Sequence, residues 1–301
     1  MQLKFKKYKG EGFLGQRSCG YATSPGIIRE QNEDSLCIRP DLGLWAVADG
    51  MGGYRAGELA SRITVEQLAE DLGHRIPLSE SIYGIHQKII SVARTDAAYE
   101  SMGATVVALK VDGNDYEIAW VGDSRAYLWQ GRQLTRLTRD HSYVQSLVDA
   151  GTITEAEAEI HPERHAITQA LGAEGIDALE VETIKGTFHE NNKILLCSDG
   201  LTNELEDEEI TSILSQTVSE QSIAVQLIAA AEKNGGKDNI SAILVGPDPA
   251  PFVETIGENV NLQQANSAAI EGRIHGLQFW LWMVLAFFAL VFAVIVVYDI
   301  I

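Results

Sequence analysis

Two short apolar runs stand out along the chain. Leu44 to Ala48 contains no polar position before Asp49-Gly50, and Ile194 to Cys197 stays apolar until Ser198-Asp199-Gly200. Runs of this length, ended by turn residues, predict strands buried on both faces. Thr105 to Val111, Tyr116 to Val121 and Arg125 to Trp129 alternate or run apolar as further strands, with Asp112-Gly113-Asn114 as a hairpin turn, so neighbours in the chain are expected to be neighbours in a sheet. The period then changes. Ala56, Leu59, Ala60 and Ile63 recur at helical spacing, as do Ile82, Ile85, Ile89 and Val92, and a later helix is expected over Ser222 to Lys233 with Gly235-Gly236 as its stop. Between Ser142 and Gly172 the pattern gives a helix at Tyr143 to Ala150, then Gly151, an acidic stretch from Thr152 to Ile160, and His161-Pro162. Strands on either side of a helix pair, with few βαβ alternations, predict an α+β fold of packed sheets with helices outside.

The far end of the chain breaks this pattern. From Leu277 to Tyr298 the only non-hydrophobic side chain is Gln278. As a helix this run is about 33 Å long, enough to cross a hydrocarbon core. Trp280, Trp282 and Tyr298 stand near its ends, where interfacial aromatics belong. The alternative is a buried core helix, which a run of this length with no polar face disfavours. With only Asp299, Ile300 and Ile301 after it, the span is expected to insert after synthesis as a C-terminal anchor. Arg273 on its amino side then agrees with a cytoplasmic head. The expected organisation is a folded domain at 1–246, a linker at 247–276 opened by Pro247, Pro249 and Pro251, a transmembrane helix at 277–298 and a tail at 299–301. At the other end, Lys4, Lys6, Lys7 and Lys9 precede no apolar segment, so no signal peptide is expected.

Composition narrows the function. Of 301 residues 46% are hydrophobic and 22% charged, which excludes a mainly disordered, collagenous or disulfide-scaffold chain. Lys and Arg number 23 against 42 Asp and Glu, a formal charge of −19, which opposes nucleic acid binding and suits a protein that gathers carboxylates around cations. Cys19, Cys37 and Cys197 are far apart, with no zinc spacing, and point to a reducing compartment. The candidate chemistry lies in five acidic marks: Arg29-Glu30-Gln31-Asn32-Glu33-Asp34, Asp49-Gly50-Met51-Gly52-Gly53, Gly122-Asp123-Ser124-Arg125, Ser198-Asp199-Gly200 and Lys237-Asp238-Asn239. Any one Asp-Gly is an ordinary turn, since Gly accepts positive φ. Several aspartates at strand ends can converge on one cleft, and oxygen ligands without Cys or His select Mg²⁺ or Mn²⁺.

In order and spacing these five motifs, with Ala56-Gly57-Glu58, Ala126-Tyr127 and Leu201 extending them, resemble the bacterial metal-dependent Ser/Thr protein phosphatases of the PPM (type 2C) family, over about residues 17 to 246. The resemblance implies a four-layer α-β-β-α sandwich of two antiparallel sheets flanked by helices, with two Mn²⁺ or Mg²⁺ ions at the sheet edge. It implies that Asp49 bridges the two ions and the Gly50 carbonyl completes one shell. Asp199 and Asp238 would hold one ion, and Asp34 would act on the other, partly through water. Asp123 matches the position for a third, looser ion, Arg29 the phosphate-binding arginine, and Glu33 and Asn239 would support these ligands from behind. The implied reaction is attack on a phosphate monoester by a water held between the ions, with no enzyme nucleophile. Cys197 is accordingly expected to be a small buried strand residue.

Some positions depart from the family. Animal members carry His where Met51 stands, and many bacterial members carry His near Tyr54. The proton for the departing alcohol would then come from water on the metal, or from a group such as His141 or Tyr54. His141 also reads as a loop residue bonded to backbone. His74, His86, His161, His165, His189 and His275 show no ligand spacing and are expected in solvent. The segment 142–172 resembles the family's flap beside the active site. The resemblance implies phosphorylated proteins as substrates and a cognate bacterial Ser/Thr kinase as the opposing partner, with anchoring raising the effective concentration on a shared membrane. Two other readings are a catalytically silent phosphoprotein-binding module of the same fold and a phosphatase for a partner-switching regulator of transcription.

Overall fold

The computed structural model describes residues 17–52, 55–173 and 179–247. All of them belong to the first of two units, Met1–Pro249 and Ala250–Ile301. Among the described residues no helix is long and apolar enough to cross a membrane, and the expected linker, transmembrane helix and tail lie outside the described residues.

In chain order the strands are β1 (Cys19–Ser24), β2 (Ser35–Arg39), β3 (Leu44–Ala48), β4 (Gly50–Met51), β5 (Gly103–Ala104) and β6 (Val106–Asp112). They continue as β7 (Asp115–Val121), β8 (Arg125–Trp129), β9 (Leu134–Arg136), β10 (Glu182–Thr187), β11 (Lys193–Cys197) and β12 (Ile240–Val245). The helices are α1 (Arg55–Gly73), α2 (Leu78–Ala93), α3 (Tyr143–Asp149), α4 (Glu155–Glu159), α5 (Asp199–Thr202), α6 (Asp207–Leu214) and α7 (Glu220–Asn234). One antiparallel sheet has the order β1-β12-β11-β8-β9, the other β10-β7-β6-β3-β2, and β4 pairs with β5.

The expected four layers are present, and the alternation along each strand makes them. In β3, Leu44, Ala46 and Ala48 face one apolar cluster while Trp45 and Val47 face another; in β12, Ile240, Ala242 and Leu244 part from Ile243 and Val245 in the same way. The shared cluster, with Trp45, Leu109, Ile118, Leu196 and Ile243, lies between the two sheets. Outside it, Ala56, Ala60, Leu68 and Leu72 of α1 and Ile82, Ile85 and Ile89 of α2 cover one sheet. Leu201 of α5, Ile210 of α6 and Leu227 of α7 cover the other. Each central strand is thus buried on both faces, which is why its sequence is an apolar run.

Pairing departs from chain order at several places: β1 pairs with β12, β3 with β6, β7 with β10 and β8 with β11. β6 and β7 form the expected hairpin, with Asp112 opposite Asp115 and Gly113 at φ +57°. β8 does not continue that sheet but pairs with β11 in the other. Gly122, at φ +103°, turns the chain from one sheet to the other immediately before Asp123.

Candidate active site

All five acidic motifs lie at one edge of the paired sheets. Asp49 follows β3, and Asp34 precedes β2, whose Ser35 is opposite Ala48. Asp199 follows β11, and Asp123 precedes β8, whose Arg125 is opposite Cys197. Asp238 precedes β12, where Ala242 is also opposite Cys197. Here they line a cleft of about 590 Å³ whose walls include Arg29, Glu33, Asp49, Gly50, Asp123, Asp199, Asp238 and Asn239. Asp34 is the exception among the expected residues, buried behind the lining.

Backbone fit holds the acids together. A Cβ on Gly50 would meet the Gly57 carbonyl oxygen at 2.1 Å, and one on Gly200 would meet the Asn239 carbonyl oxygen at 2.0 Å. These glycines serve close approach of two backbones, not the positive-φ turn an Asp-Gly pair suggests. Asp49 exchanges two bonds with Thr105: its N–H donates to Oγ1 at 3.2 Å and its carbonyl accepts from the Thr105 N–H at 2.8 Å. Thr105 Oγ1 in turn lies 2.7 Å from Ser124 Oγ, which couples Asp49 to the Asp123 turn. Asn239 stitches the Arg29 loop to β12. Its Oδ1 accepts from the Glu33 N–H at 2.8 Å, and its Nδ2 donates to the Gln31 carbonyl at 2.8 Å and the Pro25 carbonyl at 3.2 Å.

The electrostatics of the cleft call for cations. Burial, then the neighbouring carboxylates, pushes Asp34 up to about 7 and Asp49 well above the usual carboxylate range; the nearby Ser241 and Ser198 hydroxyls oppose the rise at Asp34. Asp123 is pushed up to about 8, first by burial and then by Asp199 and Asp140. Asp199 is raised by burial and by Asp238, against the bond that Asn203 Nδ2 donates to it at 2.9 Å, and Glu33 is raised by burial. Ser198 Oγ donates to Asp34 Oδ2 at 2.8 Å, while the buried Oδ1 has no partner among the described residues. Among the described residues no three acids are drawn up around one point. Yet an all-oxygen donor set, an orphaned buried carboxylate oxygen and mutual repulsion are what divalent cations relieve, so the residues fit Mg²⁺ or Mn²⁺. Arg29 Nη2 donates to Asp238 Oδ2 at 2.9 Å with its side chain 55% exposed, so the fork stands at the cleft mouth.

Of the histidines, His86 departs from the expected exposure, and His141 takes one of its two expected roles. His141 does not line the cleft: its Nδ1 accepts from the Gly122 N–H at 3.2 Å and its own N–H donates to the Gly122 carbonyl at 2.9 Å, clamping the turn before Asp123. Nε2 is then left to donate to Glu182 Oε1 at 3.3 Å. This is the backbone-bonded alternative. His86 is buried, not in solvent, with Nδ1 accepting from the Gly172 N–H at 3.1 Å, and burial lowers its pKa. His165, exposed, lines the cleft together with Arg164 and Ile167, so the segment 142–172 does border the site. Neither His165 nor Glu204, also in the wall, was expected there. Tyr54 lies outside the described residues, and Met51 lines the cleft. Cys197 is fully buried and its thiol is pushed up to about 12 by burial, as a strand residue should be.

Comparison with known proteins agrees with this geometry. A family model described as Protein phosphatase 2C matches residues 29–244. The serine/threonine phosphatase stp of Listeria monocytogenes is 36% identical over 243 residues, covering 76% of this chain and 95% of that protein. The crystal structure of the Mycobacterium tuberculosis serine/threonine phosphatase PstP/Ppp superposes with a TM-score of 0.70 at 33% identity, over 77% of this chain and 99% of that one. A structure of the PstP catalytic domain in complex with two manganese ions matches at 0.68 and 31% identity, over 77% and 100%. A cleft of converging aspartates at the edge of a four-layer sandwich, the motif order and these likenesses together make the chain a member of the protein phosphatase 2C family.

Proposed function

We propose that the protein removes phosphate from phosphoserine and phosphothreonine in proteins, with two divalent ions held in the acidic cleft. The observation that carries this reading is the convergence of Asp34, Asp49, Asp123, Asp199 and Asp238 at one sheet edge beside Arg29. In this reading Asp49 with the Gly50 carbonyl, Asp199 and Asp238, and Asp34 from behind would hold two Mn²⁺ or Mg²⁺ ions, and Asp123 would hold a third more loosely. When bound, the ions lower the pKa of a water and neutralise charge on the phosphoryl oxygens. Arg29 grips the phosphate through its planar fork, and its pairing with Asp238 keeps that fork at the cleft mouth. His165, the one imidazole in the wall among the described residues, is the side chain placed to return a proton to the departing serine or threonine oxygen. Arg164, His165 and Ile167 give the flap-like segment a part in substrate access.

The apolar run at 277–298 supports a membrane tether with the catalytic unit on the cytoplasmic side, where a cognate Ser/Thr kinase would supply the phosphoproteins. The test of the chemistry is phosphate release from a phosphothreonine peptide in Mn²⁺, in Mg²⁺ and in EDTA, beside Asp199→Asn. Release that needs metal and disappears in the variant supports the reading, and a folded, metal-binding but inactive protein would return it to a silent binding module. Membrane fractionation of the full chain against one lacking 277–298 tests the tether.

A further inference from the structure

We infer that Glu204 is a positioning residue that sets the spacing between Asp199 and Asp238, and with it the affinity for the ion these two are proposed to share. The inference rests on that assignment of the pair.

The two aspartates sit on separate segments, Asp199 at the start of α5 and Asp238 on the turn between α7 and β12. On the strand side the segments are already joined. The Ser198 N–H donates to the Ser241 carbonyl at 3.1 Å, the Ser241 N–H donates to Ser198 Oγ at 3.0 Å, and Gly200 packs on Asn239. On the other side, among the described residues, the 235–238 turn is tied to the Asp199 segment through Glu204 and Asn234. The Glu204 side chain is only 5% exposed. Its Oε1 accepts from the Lys237 N–H at 3.3 Å and lies 3.9 Å from Lys237 Nζ. Its backbone carbonyl accepts from Asn234 Nδ2 at 2.9 Å. Gly235 leaves the space the carboxylate needs, since a Cβ there would stand 2.5 Å from Oε2.

Glu204 therefore closes a frame around the two ligands: one side is the Ser198–Ser241 pairing, the other the Glu204–Lys237 bond. Asp238 is the ligand that most depends on the second side. Its side chain is 39% exposed and its cationic partner Arg29 is 55% exposed. Outer partners that orient a ligand typically change metal affinity by about 10- to 100-fold when removed.

The experiment is calorimetric titration of Mn²⁺ into the full chain and into Glu204→Ala, Glu204→Gln, Gly235→Ala and Asp238→Asn. Glu204→Ala is expected to weaken one Mn²⁺ site by about tenfold. Glu204→Gln keeps an oxygen for the Lys237 N–H and should bind within about threefold of the parent. Gly235→Ala, which crowds the carboxylate without removing it and at φ +159° also strains the turn that carries Asp238, should weaken the same site and carries the test if Glu204→Ala fails to fold. Unaltered binding in Glu204→Ala or, where that variant does not fold, in Gly235→Ala would overturn the proposal. So would a loss in Glu204→Gln as large as in Glu204→Ala, which would assign the effect to charge. No change in Asp238→Asn would overturn the underlying assignment of Asp238 and the proposal with it.

Discussion

Asn239 accepts the Glu33 N–H on Oδ1 at 2.8 Å, so the loop that presents Arg29 is tied to the strand that follows Asp238. The same amide donates to two carbonyls of that loop, Pro25 and Gln31, which settles its orientation. Asn239→Asp keeps the acceptor, leaves both carbonyls without their donor, and adds a charge beside Glu33 and Asp238. It should lower stability by about 1–3 kcal/mol, the range for a buried polar group left unpaired. Urea melts of the two proteins measure it, and a variant as stable as the parent would show that the stitch is dispensable.

The crowded carboxylates set a pH dependence. An unfolded Asp titrates near 3.9, whereas Asp34 and Asp123 titrate at about 7 and 8 in the fold and Asp49 well above its usual range. Between those limits the folded state binds more protons, so without metal its stability is greatest near pH 4 as far as these groups decide it, and falls as pH rises through about 7 to 8. Divalent ions displace those protons, so Mg²⁺ should raise the melting temperature more at pH 8 than at pH 6 and should release protons on binding. Melting curves in EDTA and in Mg²⁺ at the two pH values decide it, and an equal gain at both would count against ionised ligands in the cleft.

Gly200 has no room for a side chain, the Asn239 carbonyl oxygen lying 2.0 Å from where a Cβ would be. Because the obstacle is backbone on both sides, Gly200→Ala must push α5 from β12. A loss of about 1–3 kcal/mol is expected, as for other overpacked sites, together with weaker Mn²⁺ binding, since Asp199 and Asp238 flank the contact. Gly113→Ala, with open space around the Cβ position but φ +57°, should cost about 1 kcal/mol and leave Mn²⁺ binding alone.

His141 should prove structural. It bonds Gly122 on both sides and meets Glu182, away from the cleft wall, whereas His165 stands in that wall. His141→Ala is expected to lower the melting temperature while leaving the shape of the pH–rate profile in place. His165→Ala should reduce kcat by about 100-fold or more if it returns the proton, and change the alkaline limb of the profile. A profile altered only by His141→Ala would reverse the two roles.

Much of the fold was legible because strands buried on both faces leave apolar runs, as at Leu44 to Ala48 and Ile194 to Cys197. Partnership between strands was not. β8 follows β7 within a few residues yet joins the other sheet, and only the positive φ of Gly122, invisible in composition, turns it there. β10 has alternating half-buried and exposed positions at a sheet edge, too polar to stand out. The acids of the site were found by motif, but the reason for the glycines was misjudged, because close approach of distant backbones is a tertiary fact. Glu204 gave no signal, lying in an acidic stretch, and His165 was marked only as part of a segment expected beside the site; each gains its meaning from what the fold sets beside it.

Arg29 is the last piece that chemistry can isolate. Its guanidinium reaches Asp238 at 2.9 Å but is half exposed, so a phosphate entering the cleft can take the fork without a buried charge being stranded. Arg29→Lys keeps the charge and loses the paired donors, and Arg29→Ala loses both. If the residue grips phosphate, KM for a phosphothreonine peptide should rise about tenfold in Arg29→Lys and further in Arg29→Ala, the scale of one or two bonds to a charged group. Mn²⁺ affinity should change little, because Asp238 loses only an exposed partner. Steady-state kinetics at saturating Mn²⁺ separate the outcomes: a rise in KM places Arg29 on the substrate. A fall in Mn²⁺ affinity with KM unchanged would place it on Asp238 instead, as a support of the metal site.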